Sequence, residues 1–179
     1  MASSSRSEEE DPYSWKKHLP IGIKFRPTDQ ELLLEYLKIK FEDKPITPGI
    51  ISEEEIYEYP PEILQDKAFK HDDGRMYFFT NLKGKDNSKS KKERFVKKIG
   101  YWKATQARTD VHDDDNRKHK IGTKTPLAYF HSRVREDGSR EGIKQNWLMT
   151  EYRLPEKESA DEELALCVIY HHEKKRKKS

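Results

Sequence analysis

The first element that the hydrophobic pattern indicates is a helix. Thr28 and Glu31 have the spacing of a capping box, in which the hydroxyl and the carboxylate each accept a hydrogen bond from the other residue's backbone N–H. Five apolar residues follow at helical spacing: Leu32, Leu33, Tyr36, Leu37 and Ile39. The pattern predicts a helix over about residues 29–41, and Pro45 and Pro48 lie beyond its end.

Most of the remaining chain is typical of β-strands. Five segments are rich in β-branched and aromatic residues: 76–80, 101–105, 126–131, 146–154 and 164–170. Polar segments that we expect to be loops separate them: 83–92, 112–119 and 136–142. The order of elements predicts an α+β fold, a twisted antiparallel β-sheet flanked by a few helices.

Composition bounds the domain organisation. The chain has 179 residues, of which 32% are hydrophobic and 39% charged, enough for one domain with a small core. We expect residues 1–14 to form a disordered acidic tail, residues 15–172 a single domain, and residues 173–179 a basic tail. No segment approaches the roughly 20 apolar residues of a membrane span, and the N-terminus lacks the apolar core of a secretory signal.

The charge is unevenly distributed. The formal net charge is only +3, but residues 81–108 contain ten basic side chains and two acidic ones, Asp86 and Glu93. A local basic field of this strength favours a partner rich in phosphates. Cys167 is the single cysteine, which excludes intrachain disulfides and cysteine-rich zinc sites. No motif indicates a cofactor, a metal site or a catalytic residue, so we expect a protein that is not an enzyme and takes no small-molecule substrate.

Four segments resemble the plant NAC family. Residues 19–32 (LPIGIKFRPTDQEL) are similar to the family's LPPGFRFHPTDEEL, and residues 100–105 (GYWKAT) to its GYWKATG. Residues 146–154 (NWLMTEYRL) are similar to WIMHEYRL, and residues 166–170 (LCVIY) to LCRIY. The four matches occur in family order and cover roughly residues 19–171. The resemblance implies a nuclear transcription factor that binds double-stranded DNA as a dimer, with an edge strand in the major groove.

The segment 102–105 is the candidate for reading bases. Strand alternation places Trp102 in the core and Lys103 and Thr105 on the opposite face, where they can reach base edges or phosphates. Gln106 stands where the family motif has glycine, and its amide is able to pair with adenine or to block close approach of the backbone. The alternative is an ordinary strand with one solvated lysine.

Basic residues around this segment are candidates for phosphate contacts, which give affinity and orientation. The predicted group is Lys92, Arg94, Lys97, Lys98 and Arg108, together with Arg133 and Arg135 in the loop expected after the strand at 126–131. The alternative is a solvated charge run. The C-terminal run is a candidate nuclear import signal or a further phosphate contact; it consists of Lys174, Lys175, Arg176, Lys177 and Lys178.

The resemblance also implies a dimer contact at Leu19, Ile21, Lys24 and Glu31. In the family an arginine at the position of Lys24 pairs with the glutamate matched by Glu31 across a two-fold axis, and lysine keeps the charge but not the bidentate fork. The alternative is that Glu31 only completes the capping box.

Three other functions remain open. The acidic run at 112–115 suggests metal-dependent cleavage, but a solvated loop explains it more simply. Binding of single-stranded nucleic acid needs exposed aromatic rings, whereas Tyr77, Phe78, Phe79, Tyr129 and Phe130 are expected in the core. A chain ending at Ser179 is either a fragment or a short NAC-like protein that heterodimerises with full-length relatives and modulates them.

Overall fold

The predicted helix forms and begins at its predicted cap. A computed structural model describes residues 20–82, 93–155 and 164–173. Helix α1 covers residues 29–41 in three continuous segments, Asp29–Glu31, the π-helical Leu32–Leu37 and Lys38–Phe41. The Thr28 hydroxyl accepts from the Glu31 backbone N–H at 3.2 Å, and Glu31 Oε1 accepts from the Thr28 N–H at 3.4 Å. The capping box predicted from the sequence is therefore confirmed.

In the described part of the chain, the other elements are two short helices and eight strands. A 3-10 helix covers Ile56–Glu58, and helix α2 covers Pro61–Leu64. The strands are β1 Ser52–Glu53, β2 Met76–Asn81, β3 Glu93–Val96, β4 Gly100–Ala104, β5 Thr109–His112, β6 Lys120–Val134, β7 Arg140–Arg153 and β8 Leu164–His171. All five predicted strands are present, and the α+β fold is confirmed.

The strands form one curled sheet in the order β1-β2-β8-β7-β6-β4-β3, and β5 pairs with the first part of β6. Strands β1 and β2 are parallel, so the sheet is mixed rather than wholly antiparallel as predicted. All other pairs are antiparallel. The two-residue β1 was too short to carry a sequence signal of its own.

Each face of the sheet has its own core. On the face that we call face A, Trp102, Tyr129 and Met149 pack in one cluster with Ile56 of the 3-10 helix and Leu64 of α2. On face B, the buried leucines of α1 pack in a second cluster with side chains of β2 and β8; the cluster includes Leu33, Leu37, Tyr77, Leu166 and Val168. The start of α1 is also tied to the sheet by polar contacts. The carboxylate of Asp29 accepts from Lys124 Nζ at 2.6 Å and from the Tyr152 hydroxyl at 2.5 Å.

Strands β6 and β7 are longer than predicted. They continue into a hairpin whose turn contains Gly138 at φ 82°, a left-handed conformation that glycine adopts without steric cost. The Arg135 N–H donates to the Ser139 carbonyl at 2.8 Å, and β7 begins at the next residue. The loop predicted over 136–142 is therefore too long, because a tight turn lets charged residues pair as strands. Among the described residues, no helix has the length and apolar character needed to cross a membrane.

Candidate nucleic-acid interface

Strand β4 presents alternate side chains to the core and to solvent. The Trp102 side chain is fully buried on face A, with its ring 5.2 Å from that of Tyr129. The next residue, Lys103, is exposed on face B. Since successive side chains of a strand point to opposite faces, burial of the indole orients the lysine outward. The predicted anchoring role of Trp102 is confirmed.

Strand β4 is not the edge of the described sheet, in contrast to what the resemblance implied. Strand β3 lies outside it, and the pairing runs from Val96 opposite Gly100 to Glu93 opposite Lys103. The described part of β3 begins at Glu93. Thr105 is one residue beyond β4, and its backbone N–H donates to the Pro126 carbonyl of β6 at 3.0 Å.

The C-terminal end of β4 carries one group of candidate residues, which we call the loop end. Lys103, Thr105, Gln106 and Arg108 are all exposed there, before β5 begins at Thr109. The Thr105 hydroxyl donates to the Pro126 carbonyl at 3.4 Å, which leaves its methyl group and lone pairs available to a ligand. Two cations, a hydroxyl and an amide thus lie within six residues of chain.

The opposite end of β4 carries a second basic group, which we call the turn end. Lys97 and Lys98 are exposed in the turn between β3 and β4. The Ser132 N–H donates to the Ile99 carbonyl at 2.9 Å, and this bond brings the end of β6 beside the turn. Arg133 and Arg135 lie one and three residues after Ser132 in the sequence. At about 3.3 Å per residue, the length of β4 separates the two ends by roughly 13 Å.

One predicted location at the turn end needs correction, that of Arg133, whereas Arg135 lies in the predicted loop. Arg133 lies within β6, opposite Glu141 of β7, rather than in a loop. Arg135 lies in the hairpin turn, where its Nε donates to Glu141 Oε2 at 3.2 Å. Hydrogen bonding to Arg135 and its charge hold the pKa of Glu141 below its usual value. Both arginines remain exposed.

Sequence reasoning missed two basic residues at the turn end. Arg140 pairs opposite Val134, and Lys144 pairs opposite Phe130, and both are exposed. Arg140 was missed because the segment 136–142 was interpreted as a loop, and Lys144 because it lies between that loop and the strand predicted from residue 146.

Arg94 does not belong with the exposed cations. Its side chain is only 6% exposed on face A, where Nη2 donates to Glu151 Oε1 at 2.9 Å. Glu151 also accepts from Arg153 Nε at 2.9 Å and from the Tyr57 hydroxyl at 2.7 Å. The prediction of a phosphate contact at Arg94 is therefore wrong, because strand register turns this residue toward the core.

The buried carboxylate is held in its charged form. Burial raises the pKa of Glu151, but the charges of Arg94 and Arg153 and the Tyr57 hydrogen bond outweigh burial and bring the pKa below its usual value. Burial and the Glu151 carboxylate raise the pKa of Tyr57 well above its usual value, so this phenol stays a donor. The network joins β3, β7 and the 3-10 helix across face A.

A row of aromatic rings crosses face B beside Lys103. The Phe95 and Tyr101 rings are 5.7 Å apart, and the Tyr101 and Phe130 rings stack at 5.3 Å. Phe95 is 59% exposed. Phe130 is half-buried, so its predicted place in the core is wrong, whereas Tyr77, Phe78, Phe79 and Tyr129 are buried as predicted. The Tyr101 ring crosses Gly142, where an added Cβ would meet the hydroxyl at 1.9 Å.

The candidate dimer residues lie before and at the start of α1. Ile21 and Lys24 are exposed, as is Ile23 at 55%. Glu31 is exposed and occupied in the capping box. Gln30, where the family motif has glutamate, accepts from the Asp114 N–H at 2.7 Å and connects α1 to the acidic loop.

Several predicted residues fall outside the described part of the chain: Leu19, Lys92, Lys174, Lys175, Arg176, Lys177 and Lys178. The predicted tail 1–14 and the predicted loop 83–92 do as well. Within residues 20–82, 93–155 and 164–173, there is no group of three or more His, Cys, Asp or Glu side chains that could hold a metal ion. The acidic run is exposed apart from partly buried Asp113.

Comparison with known proteins identifies relatives of this chain. Residues 20–154 match the family model described as No apical meristem (NAM) protein. The chain is similar to NAC domain-containing protein 10 of Oryza sativa subsp. japonica, with 33% identity over 149 residues, which are 83% of this chain and 33% of the relative. It is also similar to NAC transcription factor 25 of Arabidopsis thaliana, with 36% identity over 137 residues, which are 76% of this chain and 40% of the relative.

These matches establish the family of the chain and show how much of each relative it covers. The chain spans 33% and 40% of the length of those two relatives. The family match covers the segment from the N-terminal motif to the end of β7, including every element that borders β4. The chain therefore belongs to the No apical meristem (NAM) family and carries a plant NAC DNA-binding domain.

Proposed function

We propose that the chain binds double-stranded DNA sequence-selectively in the nucleus, as a non-enzymatic regulator of transcription. The observation that carries the proposal is the alternation in β4, where buried Trp102 anchors the strand and exposed Lys103 faces outward. A ribbon of strands fits the major groove, where each base pair presents a distinct pattern of donors and acceptors. Relatives with the printed name NAC transcription factor support this assignment.

The loop end is the proposed base-reading surface. The Lys103 ammonium donates to base acceptors, the Thr105 methyl can contact a thymine methyl, and the Gln106 amide can pair with adenine. Lys103 is the last residue of β4 whose partner on β3 is described, and Ala104 pairs with Leu127 of β6 on the other side. The exposure of Lys103, Thr105 and Gln106 supports insertion of these side chains into the groove although β3 lies outside β4.

The turn end is the proposed phosphate-binding surface. Lys97, Lys98, Arg133, Arg135, Arg140 and Lys144 are exposed cations. Glu141 partly offsets them through its pairing with Arg135. The separation of roughly 13 Å between the two ends is close to the major-groove width of about 12 Å, so bases and a flanking backbone can be contacted together. Lys92 and the run at 174–178 lie outside the described residues and are proposed as further phosphate contacts.

Removing two turn-end lysines tests the phosphate role. We expect Lys97→Ala with Lys98→Ala to weaken binding to all duplexes and to reduce the slope of log K against log salt by up to about 2, because each phosphate contact releases a counterion. Fluorescence anisotropy over a salt series measures the slope. The control is Lys38→Ala with Lys118→Ala, which removes two exposed lysines elsewhere. Equal slopes for the two double variants would contradict the assignment.

We also propose that the chain dimerises through its N-terminal segment, with itself or with related chains. Ile21 is fully exposed and Ile23 is 55% exposed beside Lys24, which supports an apolar contact with a charged rim. Leu19 would belong to the same contact. A two-fold dimer would present two reading strands to two DNA half-sites.

Sedimentation equilibrium tests the dimer. We expect a concentration-dependent dimer that Ile21→Asp shifts to monomer, because a buried unpaired carboxylate is costly at such a contact. The control is Phe41→Asp, which alters an exposed apolar residue at the other end of α1. If both variants dimerise as the original chain does, the contact lies elsewhere.

A further inference from the structure

A cleft of about 320 Å³ lies away from β4, between the segment before α1 and the start of β2. Six side chains of its lining carry polar groups: Arg26, Asp73, Arg75, Tyr77, Tyr170 and His171. Arg75 directly precedes β2, and Tyr170 lies at the end of the neighbouring β8. The cleft contains two guanidinium groups and one carboxylate, so its net charge is positive.

Arg75 is held in place by its neighbours. Its Nε lies 3.7 Å from Asp73 Oδ2, and its guanidinium carbon lies 5.2 Å from the centre of the Tyr170 ring. Asp73 in turn accepts from the Arg75 backbone N–H at 3.0 Å through Oδ1. A guanidinium fixed on an aromatic face loses little entropy when it binds an anion.

Arg26 supplies a second guanidinium to the cleft. Among the described residues, no carboxylate forms an ion pair with it. The family motif has histidine at this position, so a permanent charge replaces a titratable one. Burial and Asp73 raise the pKa of Tyr77 against the charges of Arg75 and Arg26, so this phenol remains a donor.

We propose that this cleft binds a phosphate group, with Arg26 and Arg75 as its two guanidinium ligands and Tyr77 as a further donor. Planar guanidinium forks match the oxygens of phosphate, and their charge-assisted bonds are about twice as strong as neutral ones. Asp73 orients Arg75 and offsets only one of the two positive charges. The site is distinct from the proposed base-reading surface.

The register of the sheet places the cleft relative to Lys103. Lys103 pairs with Ala128, Ala128 with Leu148, and Leu148 with Tyr170, so all four residues lie in one row on face B. Three strand spacings of about 4.8 Å separate Lys103 from Tyr170 by roughly 14 Å. A backbone phosphate of bound DNA and a free phosphate compound offer the cleft the same chemistry.

Titration of the isotope-labelled chain with inorganic phosphate tests the site, with chloride at equal ionic strength as the control. We expect saturable NMR shifts of the Arg26 and Arg75 Nε–H signals and of the Tyr77 and Tyr170 amides. Arg26→Gln should raise the Kd for phosphate at least tenfold, Arg26→His should raise it less at low pH than at high pH, and Lys103→Ala should leave it unchanged. Phosphate and chloride shifts of the same size would overturn the proposal.

A second titration, with a short DNA duplex, identifies the source of the phosphate. If the duplex shifts the same signals and Arg26→Gln reduces the salt slope by about 1, the cleft binds the DNA backbone. If the duplex leaves these signals unchanged while inorganic phosphate shifts them, the cleft binds a free phosphate compound. Because Lys103→Ala removes only the proposed base contact, failure of the proposed function and failure of this site are distinguishable.

Discussion

Replacing Glu151 with alanine is expected to lower the free energy of unfolding by about 3–5 kcal/mol, the cost of breaking a buried ion pair by removing one partner. The carboxylate is fully buried and accepts from Arg94, Arg153 and Tyr57. Its removal leaves two guanidinium groups without their shared counterion on face A. Urea unfolding monitored by tryptophan fluorescence measures the change.

The matched control is Glu141→Ala, because Glu141 also pairs with an arginine but its side chain is 38% exposed rather than fully buried. An exposed ion pair is screened by solvent, so the control should lose only a small fraction of the stability that Glu151→Ala loses. Equal losses in the two variants would show that the network on face A does not stabilise the fold.

The same network predicts a pH dependence. The pKa of Glu151 is lower in the folded chain than its usual value of 4.5, despite burial, because of Arg94, Arg153 and Tyr57. A carboxyl whose folded pKa is depressed contributes stability that is complete above the unfolded pKa and is lost as pH falls through the folded pKa. We therefore expect the stability difference between the original chain and Glu151→Gln to shrink as pH falls below 4.5.

Replacing Lys103 with alanine is expected to weaken binding to the preferred DNA site by about 1–3 kcal/mol, which is roughly 5- to 150-fold. Binding to a random duplex should change much less, because a base contact adds affinity only where the matching base is present. Lys103 is exposed, so the free energy of unfolding of the variant should stay within about 0.5 kcal/mol of that of the original chain, as measured by thermal unfolding.

Competition anisotropy with the preferred site and a scrambled duplex makes the comparison, and Lys98→Ala is the control. Lys98 is an exposed lysine of the turn end, so its removal should weaken binding to both duplexes by the same factor. If Lys103→Ala lowers the affinity for both duplexes equally, Lys103 does not read bases and contacts a phosphate instead.

Local patterns predicted the elements well where one face is buried. The capping box at Thr28 marked the start of α1, and alternation in β4 correctly predicted that Trp102 is buried and Lys103 exposed. Alternation carries this information because a strand has a period of two residues, so one buried side chain determines the faces of its neighbours.

Pairing between segments that are distant in the sequence could not be predicted from local patterns. Arg94 belongs to a run of cations, and only the pairing of β3 with β4 turns it toward Glu151, which is 57 residues away in the sequence. Arg140 and Lys144 were missed for the related reason that their strand becomes regular only by pairing with β6. The strand β3 outside β4 was unforeseen because a four-residue strand among lysines has no distinctive pattern.

The buried charges also limit what composition can indicate. A basic run predicts a phosphate-binding surface only if its members are exposed, and β3 contributes one cation to the core instead. The exposed set that remains, Lys97 and Lys98 with the cations of the β6–β7 hairpin, comes from two segments at least 35 residues apart in the sequence. The charge count indicated the kind of partner, while the sheet register determines which side chains can meet it.

The most direct test of sequence-selective binding is selection from a randomised duplex library by the purified chain, repeated over a salt series. We predict enrichment of a short motif, in two spaced half-sites if the dimer binds, with affinity that falls as salt rises. Salt-sensitive binding without enrichment would contradict base reading by the loop end of β4 and leave a nonspecific duplex binder, and no binding at any salt concentration would contradict the proposed function itself.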